Sequence, residues 1–145
     1  MFKNILVVCT GNICRSPIAD FMLREKTAGR GLNISSAGVG AMVGWPADPP
    51  AVAVAKAHGL DLTTHRARQV TEEMLVASDL VLTMDQSHNN WINARFPQFR
   101  GRVHKLLKWR ENADVEDPYG RSDAVFSDCY RDIEYGVADW LKKLA

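Results

Sequence analysis

The chain lacks any apolar run close to the about 18 residues that a membrane-crossing helix needs, and its N-terminal stretch does not read as a cleavable leader. No membrane insertion is expected. It also lacks an excess of charge of either sign, with 18 Lys and Arg against 17 Asp and Glu in 145 residues. That balance leaves no broad basic field for binding nucleic acid or an anionic surface, so no nucleic-acid partner is expected. Cysteine is scarce, and its count of 3 is odd, which does not suit a disulfide framework and points to a reducing compartment, the cytoplasm. Repeats and low-complexity tracts are missing, and the 6 Pro are scattered rather than gathered into a linker. The histidines His58, His88 and His104 sit at no spacing that suggests a metal site and read as ordinary. At this length the chain fits one domain, residues 1–145, with a core of useful size.

What is present is concentrated near the start. Ile5 to Val8 is a short apolar run rich in β-branched residues, Cys9 to Ser16 is a tight polar loop, and Pro17 favours the first turn of a helix. A strand that feeds a loop and then a helix points backbone N–H groups and the positive end of a helix dipole at one spot, which makes an anion site. Cys9 lies at that spot with Arg15 at the far end of the loop, an arrangement that stabilises a thiolate over a thiol. The loop therefore reads as a nucleophile inside a phosphate cradle formed by Thr10, Gly11, Asn12, Ile13, Cys14 and Ser16. The Arg15 fork can hold two oxygens of a phosphoryl group, Ser16 can donate to the sulfur, and Asn12 can take an uncommon positive φ. A Cys and an Arg at this spacing occur in many proteins; the strand before, the helix after and Gly11 at the turn give the pattern its specificity.

The rest of the chain alternates in the manner of an α/β protein. Lys3 to Val8 reads as a buried parallel strand and Pro17 to about Ala28 as a helix with Ile18, Phe21, Met22 and the stem of Glu25 on its apolar face. Leu32 to Ala37 follows as a strand, and strand, helix, strand implies a right-handed parallel crossover. Gly38 to Pro50 reads as a long loop, of a length usually functional. A helix from Asp48-Pro49-Pro50 to His58, a short helix behind Thr71, a strand over Leu80 to Met84, a polar helix over Gln86 to Arg95 and a strand near Val103 to Leu106 come next. Phe126, Tyr130, Ile133, Val137, Leu141 and Leu144 then recur at helical spacing, so a long amphipathic helix capped by Ser122 or Asp123 closes the chain. The expected architecture is α/β, a three-layer sandwich with a four-stranded parallel sheet flanked by helices and the anion-binding loop at the C-terminal end of the first strand.

The run Cys9-Thr10-Gly11-Asn12-Ile13-Cys14-Arg15-Ser16-Pro17 has companions in Ser36-Ala37-Gly38, Asp48-Pro49, His65-Arg66-Ala67-Arg68-Gln69, Thr83-Met84-Asp85 and Asp117-Pro118-Tyr119. Together these blocks, spread in order over nearly the whole chain, resemble the low-molecular-weight protein tyrosine phosphatases. The resemblance implies the same four-stranded fold, no metal or organic cofactor, and hydrolysis of phosphotyrosine through a phosphocysteine on Cys9. It places Asp117 opposite the Cys as general acid and later base, which an aryl leaving group requires. Asp85 and Asp48 read as structural, with Asp85 tying down the loop after the third strand. The resemblance assigns Ser36 and His65 to a network with Asn12 that shapes the loop; an ordinary satisfied imidazole is the other reading of His65. It also gives Cys14 a reversible disulfide with Cys9, against a plain packing role, while Cys129 reads as core.

Two departures bear on the substrate pocket. Many members carry a Trp where this chain has Met42, and many animal members have a second Tyr where it has Gly120. The pocket wall is then expected from Met42, Val43 and Tyr119, an apolar slot whose depth suits phosphotyrosine over phosphoserine. Both departures resemble the bacterial branch that acts on tyrosine-phosphorylated kinases of capsule and exopolysaccharide export, so the expected partner is a phosphotyrosine protein such as a bacterial tyrosine autokinase. An arsenate reductase on the same fold is the alternative. It needs a relay of further thiols, and Met84 to Arg100 has none.

Overall fold

The computed structural model describes residues 2–144. Asn4–Cys9 forms β1, whose residues are apolar and buried almost throughout, as a strand covered on both faces must be. Arg15–Lys26 (α1) leads to Asn33–Gly38 (β2), then Pro49–Ala57 (α2), Glu72–Ala77 (α3), Leu80–Thr83 (β3), Gln86–Arg95 (α4), Val103–Lys105 (β4) and Asp123–Leu144 (α5). A 3-10 turn at Pro97–Arg102 precedes β4. The four strands are parallel in the order β2-β1-β3-β4, so the expected α/β sandwich is what the chain forms.

Alternate residues of β1 serve opposite layers. Ile5, Val7 and Cys9 join a core built with Ile18 and Met22 of α1, Ala51 and Ala55 of α2, and Phe126, Ile133 and Val137 of α5. Leu6 and Val8 face Leu75 of α3 and Ile92 of α4. The expected stripe of α5 is buried from Phe126 to Val137, and Leu141 and Leu144 pack on the same core half-buried. Trp140 joins them, donating its Nε1–H to the Leu106 carbonyl at 3.0 Å. Glu25 is exposed, and the buried face of α1 runs through Ile18, Ala19, Met22 and Leu23 instead.

Helix α1 begins at Arg15, two residues before Pro17. A missing N–H costs nothing in a first turn, where amides have no intrahelical acceptor, so Pro17 does not have to be the opening residue. The gain is functional, because the anion-binding loop runs directly into the helix N-terminus. The chain leaves β1 in one direction for β2 and reaches β3 on the other side, and such a switch point is where open α/β sheets form a crevice at the carboxyl ends of their strands.

Candidate active site

Cys9 ends β1 and is buried; its Sγ lies 2.8 Å from Ser16 Oγ. Ser16 Oγ in turn accepts from Asn12 Nδ2 at 2.7 Å. The serine hydrogen is therefore available to the sulfur. Asn12 is fully buried with φ 59°, the left-handed region that Asn tolerates. Every polar group of its side chain is used, with Nδ2 also donating to Ser36 Oγ at 3.1 Å and Oδ1 accepting from the Arg68 amide at 2.8 Å. Its carbonyl accepts from His65 Nε2 at 2.6 Å. Burial lowers the pKa of His65 against the pull of that hydrogen bond, so the ring stays neutral and Nε2 carries the proton.

The loop also needs close approach from β2. A Cβ on Gly38 would lie 2.3 Å from the Thr10 carbonyl oxygen, so only glycine fits beside the loop there. From Gly38 onward the chain is strapped down. The Met42 amide donates to the Gly11 carbonyl at 3.0 Å, and Gln69 holds the Ala41 amide (3.0 Å) and donates to the Val39 carbonyl (2.9 Å).

Arg15 is almost wholly buried. Its Nη1 donates to Asp85 Oδ2 at 2.7 Å and to the Val115 carbonyl at 2.8 Å. Nη2 reaches Thr10 Oγ1 at 3.3 Å and lies 3.9 Å from Asp117 Oδ2. Burial works against the guanidinium charge, but the neighbouring Cys9, Asp85 and Asp117 outweigh it and raise its pKa. Burial likewise disfavours the Asp85 carboxylate, and bonds from Ser87 and Arg15 overcome this and hold its pKa below the usual range. Asp85 thus does tie down the segment after β3, and at the same time it locks one end of Arg15.

Asp117 stands at the mouth, about half exposed, with Oδ1 accepting from the Tyr119 amide at 3.1 Å. A cleft of about 210 Å³ lies between these groups, floored by Cys9 and Arg15 and walled by Ile13, Met42, Asp117 and Tyr119. Val43 is not part of the wall. It is 67% exposed, because Met42 to Trp45 closes a turn, with the Trp45 amide on the Met42 carbonyl at 2.9 Å and Gly44 at φ 84°. That geometry carries the second turn residue outward.

Cys14 and Cys9 are both free thiols. Cys14 is buried with its Sγ 3.7 Å from Asp48 Oδ2, and burial together with the Asp48 charge pushes its pKa well up. Cys129 packs in the core as expected, its pKa pushed up to about 12 by burial. His88, by contrast, is not the ordinary residue expected. It is fully buried, accepts from the Asp85 amide through Nδ1 at 3.1 Å and contacts Thr10 Oγ1 through Nε2 at 3.0 Å. Its signal in the sequence was the Asp85-to-His88 spacing at a helix start, the capping-box interval. Gly38 was legible only as part of a motif, since the clash that a side chain would meet is made by another strand end.

The family profile of the low molecular weight phosphotyrosine protein phosphatases matches residues 4–145. A probable low molecular weight protein-tyrosine-phosphatase, EpsP, of Ralstonia solanacearum is 43% identical over 144 residues, covering 99% of this chain and 97% of the relative. The solved structure of the tyrosine phosphatase Wzb from Escherichia coli K30 in complex with sulphate superposes with a TM-score of 0.96 at 40% identity, covering 100% of both chains. The arginine phosphatase YwlE from Geobacillus stearothermophilus is also similar, with a TM-score of 0.91 and 33% identity over 98% of this chain and 92% of that one.

Proposed function

The chain belongs to the low molecular weight phosphotyrosine protein phosphatase family and is a protein-tyrosine-phosphatase, and on that premise we propose that residues 1–145 act as one catalytic domain hydrolysing phosphotyrosine through a phosphocysteine on Cys9. The observation that supports this best is the convergence of Cys9 Sγ, the Arg15 guanidinium and the Asp117 carboxylate on one cleft with apolar walls. Cys9 attacks phosphorus in line while the tyrosyl oxygen leaves on the opposite side, taking a proton from Asp117. Arg15, with Nη1 committed to Asp85, offers its Nε and Nη2 edge to two phosphoryl oxygens. Asp117 then takes a proton from water, which attacks phosphorus and releases Cys9 and phosphate. The Ser16 hydroxyl, 2.8 Å from the sulfur, stabilises the departing thiolate. Ser36 and His65 support the loop through Asn12.

The walls from Met42 and Tyr119 fit an aryl ring above the phosphate, and phosphoserine is too short to reach the floor from the rim. The protein partner we propose is a tyrosine autokinase of exopolysaccharide or capsule export in the cytoplasm, supported by the likeness to EpsP and Wzb. Cys14, beside Cys9 in the same loop, supplies a reversible disulfide that protects the nucleophile from over-oxidation by peroxide. Turnover of matched phosphotyrosine, phosphoserine and phosphoarginine peptides tests the substrate class: phosphotyrosine is expected to be preferred, and a preference for phosphoarginine overturns the proposal. Trapping with Cys9→Ser or Asp117→Ala in lysate of the source organism tests the partner; recovery without any tyrosine-phosphorylated kinase counts against it.

A further inference from the structure

Arg15, Asp85, His88 and Thr10 close a ring of hydrogen bonds beside the cleft, which Arg15 and Thr10 line and Asp85 and His88 do not. Arg15 Nη1 donates to Asp85 Oδ2 (2.7 Å), the Asp85 amide donates to His88 Nδ1 (3.1 Å), His88 Nε2 meets Thr10 Oγ1 (3.0 Å), and Arg15 Nη2 returns to the same oxygen (3.3 Å). The Asp85 N–H can only donate, so Nδ1 must accept and the ring proton sits on Nε2. His88 therefore donates to Thr10. Its burial supports the neutral form that this needs.

Thr10 Oγ1 then receives two donors, which fill its two lone pairs. Its own hydrogen must point elsewhere, and Thr10 is exposed and lines the cleft. Capping of α4 requires only the Nδ1 contact. The Nε2 contact serves the loop.

We propose that His88 is a positioning residue for phosphoryl binding, acting through Thr10: it turns the Thr10 hydroxyl toward the phosphoryl oxygens and fixes the free edge of Arg15. The inference rests on the phosphatase reading above and extends the oxyanion site beyond Arg15 and the loop amides. Because Arg15 and Thr10 act on non-bridging oxygens, loss of His88 slows esters with good and poor leaving groups alike, unlike loss of an acid.

The test is binding of inorganic phosphate by calorimetry, with kcat and KM for p-nitrophenyl and phenyl phosphate, in Thr10→Val, His88→Asn, His88→Gln and the Thr10→Val/His88→Asn pair. Asn reproduces the Nδ1 acceptor that caps α4, while Gln reproduces the Nε2 donor toward Thr10. Thr10→Val and His88→Asn are each expected to weaken phosphate about tenfold, the value of a charge-assisted hydrogen bond. The pair should be no worse than either single change, and His88→Gln should keep most of the affinity. Losses that multiply in the pair, or His88→Asn binding phosphate as tightly as the parent, overturn the inference. Should a His88 variant fail to fold, Thr10→Val with full phosphate affinity overturns it alone. A parent protein that binds no phosphate at all overturns the phosphatase reading and this inference together, whereas normal parent binding with unaffected variants overturns only the role of His88.

Discussion

At the scale of residues, the site works by committing most polar atoms in advance and leaving a few uncommitted. Arg15 spends Nη1 on Asp85 and Val115 and keeps its other edge for an anion. Asp85→Asn removes the charge that draws Nη1 aside, so KM for aryl phosphates is expected to rise about tenfold, as when one charge-assisted bond is lost. Steady-state kinetics reads it. As the proposed acid, Asp117 protonates the leaving group in the first step, so Asp117→Asn should slow phenyl phosphate by about 10²- to 10⁴-fold and p-nitrophenyl phosphate far less. Equal losses for both esters would remove its role as acid. Cys9, Arg15 and the positive φ of Asn12 were legible in the sequence because each belongs to one continuous loop. For His88 the spacing to Asp85 signals only the helix cap, and its contact with Thr10, 78 residues away, was not legible; Val43 was misplaced because a turn, not a sequence position, decides which side chain enters the cleft.

The elements that carry these residues meet at places where a single atom matters. β2 abuts the loop at Gly38, where a Cβ would lie 2.3 Å from backbone oxygen. Gly38→Ala must therefore displace either the strand end or the loop, and activity should fall by more than tenfold at a temperature where the protein remains folded by circular dichroism. Gly136 does the same for α5, where an added Cβ would meet Leu106 Cγ at 2.6 Å. That neighbour is a side chain that does not line the cleft, so Gly136→Ala is expected to cost about 1–3 kcal/mol of stability through overpacking while the enzyme that remains folded keeps its turnover. Urea unfolding and single-point assays separate the two. The element types followed from apolar periodicity and capping residues; the early start of α1 did not, because Pro17 is compatible with several positions of a first turn.

For the whole molecule, the buried histidines couple the site to global stability. Burial lowers the pKa of His88 to about 4 and also lowers that of His65. The unfolded chain binds more protons than the folded one between that value and the ordinary histidine value near 6.5. The contribution of these histidines to stability is therefore full above about pH 6.5 and declines as pH falls toward 4, with His88 accounting for up to about 3 kcal/mol. The lowered carboxylate of Asp85 acts in a lower window, its contribution being lost only as pH drops below the usual carboxylate range. Urea unfolding at pH 7, 5.5 and 4.5 should show the decline, and His88→Asn should flatten it; an unchanged slope in the variant would mean that His88 is not the group responsible.

Local propensity, apolar period and contiguous motifs were enough to specify the strand, loop and helix that build the anion site, the parallel α/β layering and the family. The family resemblance pointed to Asp117, Ser36 and His65 as distant partners of the loop, and the tertiary structure supplied the contacts themselves and the partners that the resemblance left out. The distances of Asp117 from Arg15 and of Gly38 from Thr10, and the contact of His88 with Thr10, arise where segments that close or follow different strands pack together at the carboxyl end of one parallel sheet, and contacts between such segments leave no period in the chain to read.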